Sequence, residues 1–186
     1  MLITSDNLIA DTLFKTLGRS FFHQSGRFSN GAAAVKQILW SRAGIDLNTA
    51  QLADGSGLSR NNRLTLEQLR QVLNYFYHTN QQLSLLSKLP LSGEQGTLKY
   101  RPSMRDKSLN SRILAKSGSL YGTHNMAGFV LDKEQQPKLL FIQLVSDYFI
   151  PETEKTTVER PIVDFERSLY RYLIDEVDQS ADQTAH

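Results

Sequence analysis

No cysteine occurs among the 186 residues, which rules out disulfides, thiolate nucleophiles and cysteine-ligated zinc or iron–sulfur sites. The redox compartment stays open, because cysteine-free proteins work on both sides of a bacterial membrane. Long hydrophobic runs are lacking as well: the longest apolar stretch, near Leu139 to Val145, is far short of the roughly 18 residues of a membrane span. Neither sign of charge dominates. Lys plus Arg total 21 against 19 Asp plus Glu, scattered along the chain, for a net charge of +2. That balance exerts no strong pull towards nucleic acid or membrane, and a nucleic-acid reading has only the pI of 8.8 behind it, without aromatic-basic clustering. The four histidines show no metal spacing such as His-Glu-x-x-His, so no metal or cofactor is expected. No signal peptide is visible: Met1 is followed by Leu2-Ile3-Thr4 and at once by a polar tripeptide, and Met1 reads as an artificial or internal start.

What is present suits one soluble domain or a large piece of one, with 40% hydrophobic residues for a core. From Asn7 to about Phe22, Ile9, Leu13, Leu17 and Phe21 form an i+4 series that predicts a helix with one buried stripe, and Ser5 or Asp6 stands at its N-cap position. A second helix is expected from about Asn30 to Ala43, with Val35, Ile38, Leu39 and Arg42 on successive turns and Gly44 as its stop. Asp54-Gly55-Ser56-Gly57-Leu58-Ser59-Arg60 reads as a shaped loop. Thr65-Leu66-Glu67-Gln68 fits a capping box, continued by Leu66, Leu69, Leu73, Phe76 and Tyr77 as an amphipathic helix to about His78. A helix-like piece from Leu83 to Leu89 ends at Pro90, and Leu91 to Asn110 reads as irregular. Ile113 to Leu120, Asn125 to Leu131 and Lys138 to Ser146 are strand candidates for an antiparallel meander. Pro161 opens a last helix whose apolar face is Ile162, Phe165, Leu169, Tyr172 and Leu173. Residues 177–186 read as a frayed polar tail after a domain of residues 1–176.

Two short motifs carry chemistry. Ser5-Asp6-Asn7 opens the first helix and Lys116-Ser117-Gly118 lies on the first strand of the meander. Each has a plain structural alternative, a helix cap for the one and a strand with a solvent-facing lysine and a glycine bulge for the other. Their order, helix opening first and then a strand whose meander is closed by a C-terminal helix, resembles the serine beta-lactamase and penicillin-binding-protein fold. The longer segments narrow the resemblance. These are Ser5 to Asp11, Asp54 to Arg60 with Asn62, Leu89-Pro90-Leu91-Ser92-Gly93, Ala115 to Leu120, and Asn125-Met126-Ala127-Gly128-Phe129. Together they resemble the C-terminal part of the D-alanyl-D-alanine carboxypeptidase/endopeptidase family, the low-molecular-mass, type-C penicillin-binding proteins of the DacB type, from about Ser5 to Tyr172.

The resemblance implies an α+β, transpeptidase-like fold and enzymes that cleave the terminal D-Ala-D-Ala bond, and also cross-links, of peptidoglycan stem peptides through an acyl-enzyme that beta-lactams also form. By the same resemblance Ser5 would relay a proton to the leaving amine, and Asn7 would hold the substrate backbone and position the active-site lysine. Asp6 would be structural. Lys116 would place a positive charge beside the nucleophile, Ser117 would bind the substrate's terminal carboxylate, Gly118 would let the substrate lie alongside the strand, and the Ser119 N–H would supply half of an oxyanion hole. The family more often has threonine at position 117; serine keeps the hydroxyl. Leu58 and Arg60 would line the pocket for the substrate side chain, the guanidinium meeting a diaminopimelate carboxylate, with bracing of its own loop as the alternative for Arg60. His124 lacks a paired carboxylate and is not read as a general base. A periplasmic location is implied by the family.

The nucleophile motif itself, Ser-x-x-Lys, is missing: the residues three positions before the nine lysines are Thr12, Ala33, Leu85, Gly96, Met104, Ile113, Val130, Gln135 and Glu152. The chain is therefore expected to be inactive alone. Its last strand is expected to expose an edge open to self-association. The alternative is a non-catalytic module that binds peptidoglycan peptides or a protein partner.

Overall fold

The computed structural model describes residues 1–149 and 160–184. They fall into two compact units, one of Ser5–Leu85 with Met1, the other of Leu86–His186 with Leu2–Thr4.

The first unit is helical. Helix α1, Asn7–Phe22, starts at an Asp6 cap whose carboxylate accepts the Ile9 N–H at 2.9 Å. Helix α2 spans Phe28–Ala43, two residues longer at its start than the pattern predicts, and stops at Gly44 in the left-handed conformation. The two pack backbone to backbone. A Cβ on Gly18 would lie 2.4 Å from the Gly31 nitrogen, and one on Gly31 would lie 2.5 Å from the Phe14 carbonyl oxygen, so only glycines allow this approach. This corrects the expected buried stripe: Ile9, Leu13 and Phe21 are 45%, 53% and 42% exposed, and the fully buried position of α1 is Gly18. The i+4 spacing locates an apolar face but does not say what covers it.

Helix α3, Leu66–Leu83, carries the expected capping box: Thr65 Oγ1 accepts the Gln68 N–H at 3.1 Å, and Gln68 Oε1 accepts the Thr65 N–H at 3.0 Å. It runs past His78 to Leu83, and Leu66 and Tyr77 are exposed rather than packed. Val72 and Tyr75 face the small core of Ile45, Leu47 and Ala50, which Val35 and Leu39 of α2 complete. The expected helix from Leu83 shrinks to a single turn, Leu86–Lys88, because Ser84 adopts a left-handed φ of 50° and ends α3.

The second unit holds the sheet. Strand β1 spans Ile113–Leu120, β2 Thr123–Leu131 and β3 Pro137–Gln143, in the antiparallel order β1-β2-β3. Helix α4, Pro161–Thr184, packs on it. The residues between Leu91 and Asn110 wind into short 3-10 turns that bring Leu98, Met104 and Leu109 into the core beside Ile113, Ala115, Met126, Val130 and Phe141.

The buried face of α4 overlaps the expected one only in part: Ile162 is buried and Leu169 and Leu173 pack against the core as expected, but the rest of the face is turned. Ile162, Val163, Glu166, Tyr170, Ile174 and Val177 are inside, whereas Phe165 and Tyr172 are 50% and 59% exposed. The reason is polar. Glu166, 2% exposed, receives bidentate hydrogen bonds from Arg101, one from the Ser103 hydroxyl at 2.6 Å and one from Gln143 Nε2 at 3.0 Å, while the Tyr170 hydroxyl donates to Gln143 Oε1 at 2.5 Å. A buried carboxylate must be turned towards its partners, and the helix rotates with it. Nor does the helix fray after Val177: that residue is buried, and Asp178 pairs with Arg112 at 2.5 Å, which carries the helix to Thr184.

Burial by itself would raise the Glu166 pKa, but the hydrogen bonds from Arg101 and Ser103 and the charge of Arg101 outweigh it and hold the carboxyl below 4.5. A depressed carboxylate pKa gives stability that is present above the unfolded value and lost as pH falls through the folded one. Glu166→Gln should therefore cost about 3 kcal/mol in denaturant unfolding at pH 7, by leaving Arg101 uncompensated. The difference from the unmutated chain should close as the pH falls below 4.5; a gap that persists unchanged there would contradict the assignment.

Candidate active site

The sequence-predicted site residues fall in both units. In the first, Ser5 takes a left-handed φ of 54°, uncommon for a residue with a Cβ, and Asn7, at the first position of α1, is exposed. Asp6, not Ser5, is the helix cap, in line with its structural reading.

The loop after Asp54 is tied to the same helix. Asp11 of α1 accepts the Gly55 and Ser56 N–H groups at 3.0 and 2.9 Å. Gly55 sits so close that a Cβ would meet Phe14 Cβ at 2.6 Å. Within the loop, Asp54 accepts the N–H groups of Gly57 and Ser59 at 2.7 and 2.6 Å and the Asn62 amide at 2.8 Å, while Asn62 Oδ1 accepts the Ala53 N–H at 2.7 Å. Leu58, 53% exposed, and Arg60, also exposed, stand on the outside of this scaffold. Asp11, Asp54 and Asn62 fix the loop's shape through backbone N–H groups. Their roles were not assigned from the sequence, because the two glycines conceal any periodicity.

In the second unit, β1 is bordered on its outer side only at its beginning. There the Ser92 N–H donates to the Ile113 carbonyl at 2.9 Å and the Ala115 N–H to the Pro90 carbonyl at 3.0 Å. Beyond Ala115 no strand lies on that side among the described residues. The direction of the backbone groups follows from the ladder. His124 gives its N–H to the Val145 carbonyl at 3.0 Å, towards β3, and pairs in register with Ser119. In an antiparallel ladder the residue opposite then points both its N–H and its C=O away from β2. Ser117 shares this parity with Ser119, as do Ile113 and Ala115, so Ser117 and Ser119 aim their backbone polar groups at the open edge.

Lys116 is half-buried, and its Nζ donates to the Ser117 carbonyl at 2.5 Å; burial lowers its pKa below 10.5. The Ser117 hydroxyl lies 3.1 Å from Thr97 Oγ1. Gly118 is exposed, and a Cβ built there meets no heavy atom within 4 Å. Thr97 was missed at the sequence level, since it lies on a single 3-10 turn in a stretch without periodicity. His124 packs edge-on to Tyr148, with ring centroids 5.5 Å apart. Burial, and then the charge of Arg101, lowers its pKa below the usual histidine value. Among the described residues no group of three or more His, Asp or Glu is placed to hold a metal ion, and no helix is long and apolar enough to cross a membrane.

The chain is similar to known proteins. The D-alanyl-D-alanine carboxypeptidase DacB of Haemophilus influenzae is 36% identical over 93% of this chain and 36% of its own length. The carboxypeptidase DacB of Mycolicibacterium smegmatis is 34% identical over 86% of the chain and 34% of its own length. The chain thus spans about a third of the length of these curated relatives. A crystal structure of penicillin binding protein 4 (dacB) from Haemophilus influenzae, complexed with a novel beta-lactam, superposes with a TM-score of 0.84 at 36% identity, covering 93% of this chain and 40% of that one. The α+β fold, helices followed by a three-stranded antiparallel meander and a C-terminal helix, is the fold of that match. The family model for D-Ala-D-Ala carboxypeptidase 3 (S13) matches residues 1–169, and the chain belongs to that family.

Proposed function

We propose that this chain forms the C-terminal, substrate-binding part of a serine-type D-Ala-D-Ala carboxypeptidase/endopeptidase that acts on peptidoglycan stem peptides in the periplasm and is inhibited by beta-lactams. The observation that carries this reading is the open half of β1. An extended peptide needs a strand edge with outward N–H and C=O groups; the Ser117 N–H and both backbone groups of Ser119 point to that edge, with the Ser117 hydroxyl beside them and Lys116 donating to the Ser117 carbonyl. Gly118 agrees with the reading: the space above it is open, since a Cβ built there meets no heavy atom within 4 Å. Ser117 binds the terminal carboxylate, the Ser119 N–H contributes to the oxyanion hole, and Lys116 supplies the neighbouring charge. Ser5 and Asn7 act on the leaving amine and the substrate backbone. Leu58 and Arg60 line the pocket for the substrate side chain, where the guanidinium meets a diaminopimelate carboxylate, on a loop whose shape Asp54 and Asn62 hold.

No serine stands three positions before a lysine in these 186 residues, so the acylated serine comes from sequence outside them. The chain by itself, incubated with labelled penicillin and weighed intact, should show no covalent adduct; a stoichiometric adduct would refute this part of the reading. A second expectation concerns β3, whose outer edge carries no strand among the described residues. By the same ladder parity Ile142 points its N–H outward, and such an edge pairs with another chain. Light scattering on the chain should give a dimer or larger particle, and Ile142→Pro, which removes that donor, should shift it to monomer. A monomer at all concentrations would refute the expectation.

A further inference from the structure

Thr97 stands at the place proposed for the substrate carboxylate, yet none of the roles given to Lys116, Ser117, Gly118 or Ser119 involves it. Its hydroxyl is 3.1 Å from that of Ser117. The turn that carries it is pinned on every side. Leu98, the next residue, is fully buried in the core, and the Thr97 N–H donates to the Ile3 carbonyl at 3.2 Å. Gly96 holds a φ of +65° with the Ile3 oxygen 2.5 Å from where a Cβ would stand, so no other residue fits there. The Thr97 hydroxyl therefore comes from a fixed backbone.

The Ser117 hydroxyl has no such support of its own. Serine lacks the branch at Cβ that restricts threonine at χ1, and its hydroxyl reaches three staggered positions on a half-exposed strand. A serine hydroxyl has one proton to give and can also accept. Once its proton goes to a carboxylate, Ser117 Oγ can only accept from Thr97, and Thr97 becomes the donor. We infer that Thr97 is a positioning residue of the carboxylate subsite, holding the Ser117 hydroxyl in the rotamer that donates to the ligand's terminal carboxylate. The chain of bonds runs from the Thr97 hydroxyl to Ser117 Oγ and from the Ser117 hydroxyl to the carboxylate, and each donor is polarised by the next acceptor. This restores to a serine-containing strand the rigidity that threonine carries in its own side chain. The inference rests on the carboxylate-binding reading of Ser117, and the test separates the two.

The isotope-labelled 186-residue chain is titrated with N-acetyl-D-alanyl-D-alanine and with its C-terminal amide, following the backbone resonances of residues 116–120 by NMR. The unmutated chain should bind the free acid and respond less to the amide. Thr97→Val, close to threonine in shape, should weaken binding of the acid about fivefold, the worth of one ordinary hydrogen bond, and leave the amide unchanged; Thr97→Ser should restore the acid. Thr97→Ala gives the same comparison should the valine variant fold poorly. In a Ser117→Ala background Thr97→Val should add nothing, which a merely structural role for Thr97 would not produce. Equal acid affinity in Thr97→Val and the unmutated chain, or a full additional loss in the Ser117→Ala background, overturns the role of Thr97 alone. No preference of the unmutated chain for acid over amide overturns the carboxylate reading and this inference with it.

Discussion

One buried carboxylate sets the arrangement of the second unit. Glu166 collects Arg101 and Ser103 from the turns before the sheet and Gln143 from the end of β3, and Gln143 in turn donates to the His124 carbonyl of β2 at 3.1 Å and accepts from Tyr170 of α4. A charge this deep is tolerable only when each of its oxygens is satisfied. Because the partners come from separate segments, satisfying it leaves α4 a single rotational setting. Apolar burial alone would accept several faces of α4, since Phe165 and Tyr172 also carry large apolar surface. The polar network chooses among them.

That choice matters for the strand at which the chemistry is placed. With α4 fixed beneath the sheet, Ile113 and Ala115 are locked into the core and β1 begins rigidly. Its first residues are held on the outer side as well, where Ser92 accepts the Ile113 N–H at 3.0 Å through its hydroxyl and donates to the Leu109 carbonyl. From Lys116 onward the outer side opens. The strand is thus clamped where it needs only stability and bare where a ligand's backbone could lie, and an edge ordered beforehand loses little entropy when it is paired. Thr97 extends the same principle from backbone to side chain.

Much of this was legible in the sequence, for identifiable reasons. Local rules located the elements: the Thr65 to Gln68 capping box, Gly44 as a stop and Pro161 as a start each depend on a few neighbouring residues. Which face of a helix goes inside depends on partners far away in sequence, and there the pattern misled. The stripe Ile9, Leu13 and Phe21 is exposed because α1 meets α2 through Gly18 and Gly31, and the face of α4 turned because Glu166 has to reach Arg101. A glycine contact and a buried ion pair leave no periodic trace. For the candidate site, Ser5, Asn7 and Lys116 to Ser119 were visible as motifs through resemblance, whereas Asp11 and Thr97 act through contacts 44 and 20 residues away in the chain, a separation no motif spans.

The fold also separates residues it needs from residues it only carries. Gly18, Gly31, Gly55 and Gly96 each stand where a Cβ would strike a neighbour, and Gly118 does not. Ile113 and Ala115 use their outward backbone groups within the chain, while the Ser117 N–H and both backbone groups of Ser119, of the same parity, point to an edge that no strand borders among the described residues; the Ser117 carbonyl accepts from Lys116. Lys116 is held half-buried at a cost to its charged form, a cost that a carboxylate settling beside it would relieve. These three features occupy consecutive positions on one strand. The ligand proposed for this strand, with an extended backbone and a terminal negative charge, would pair with the edge and pass over Gly118, bringing its carboxylate beside Lys116.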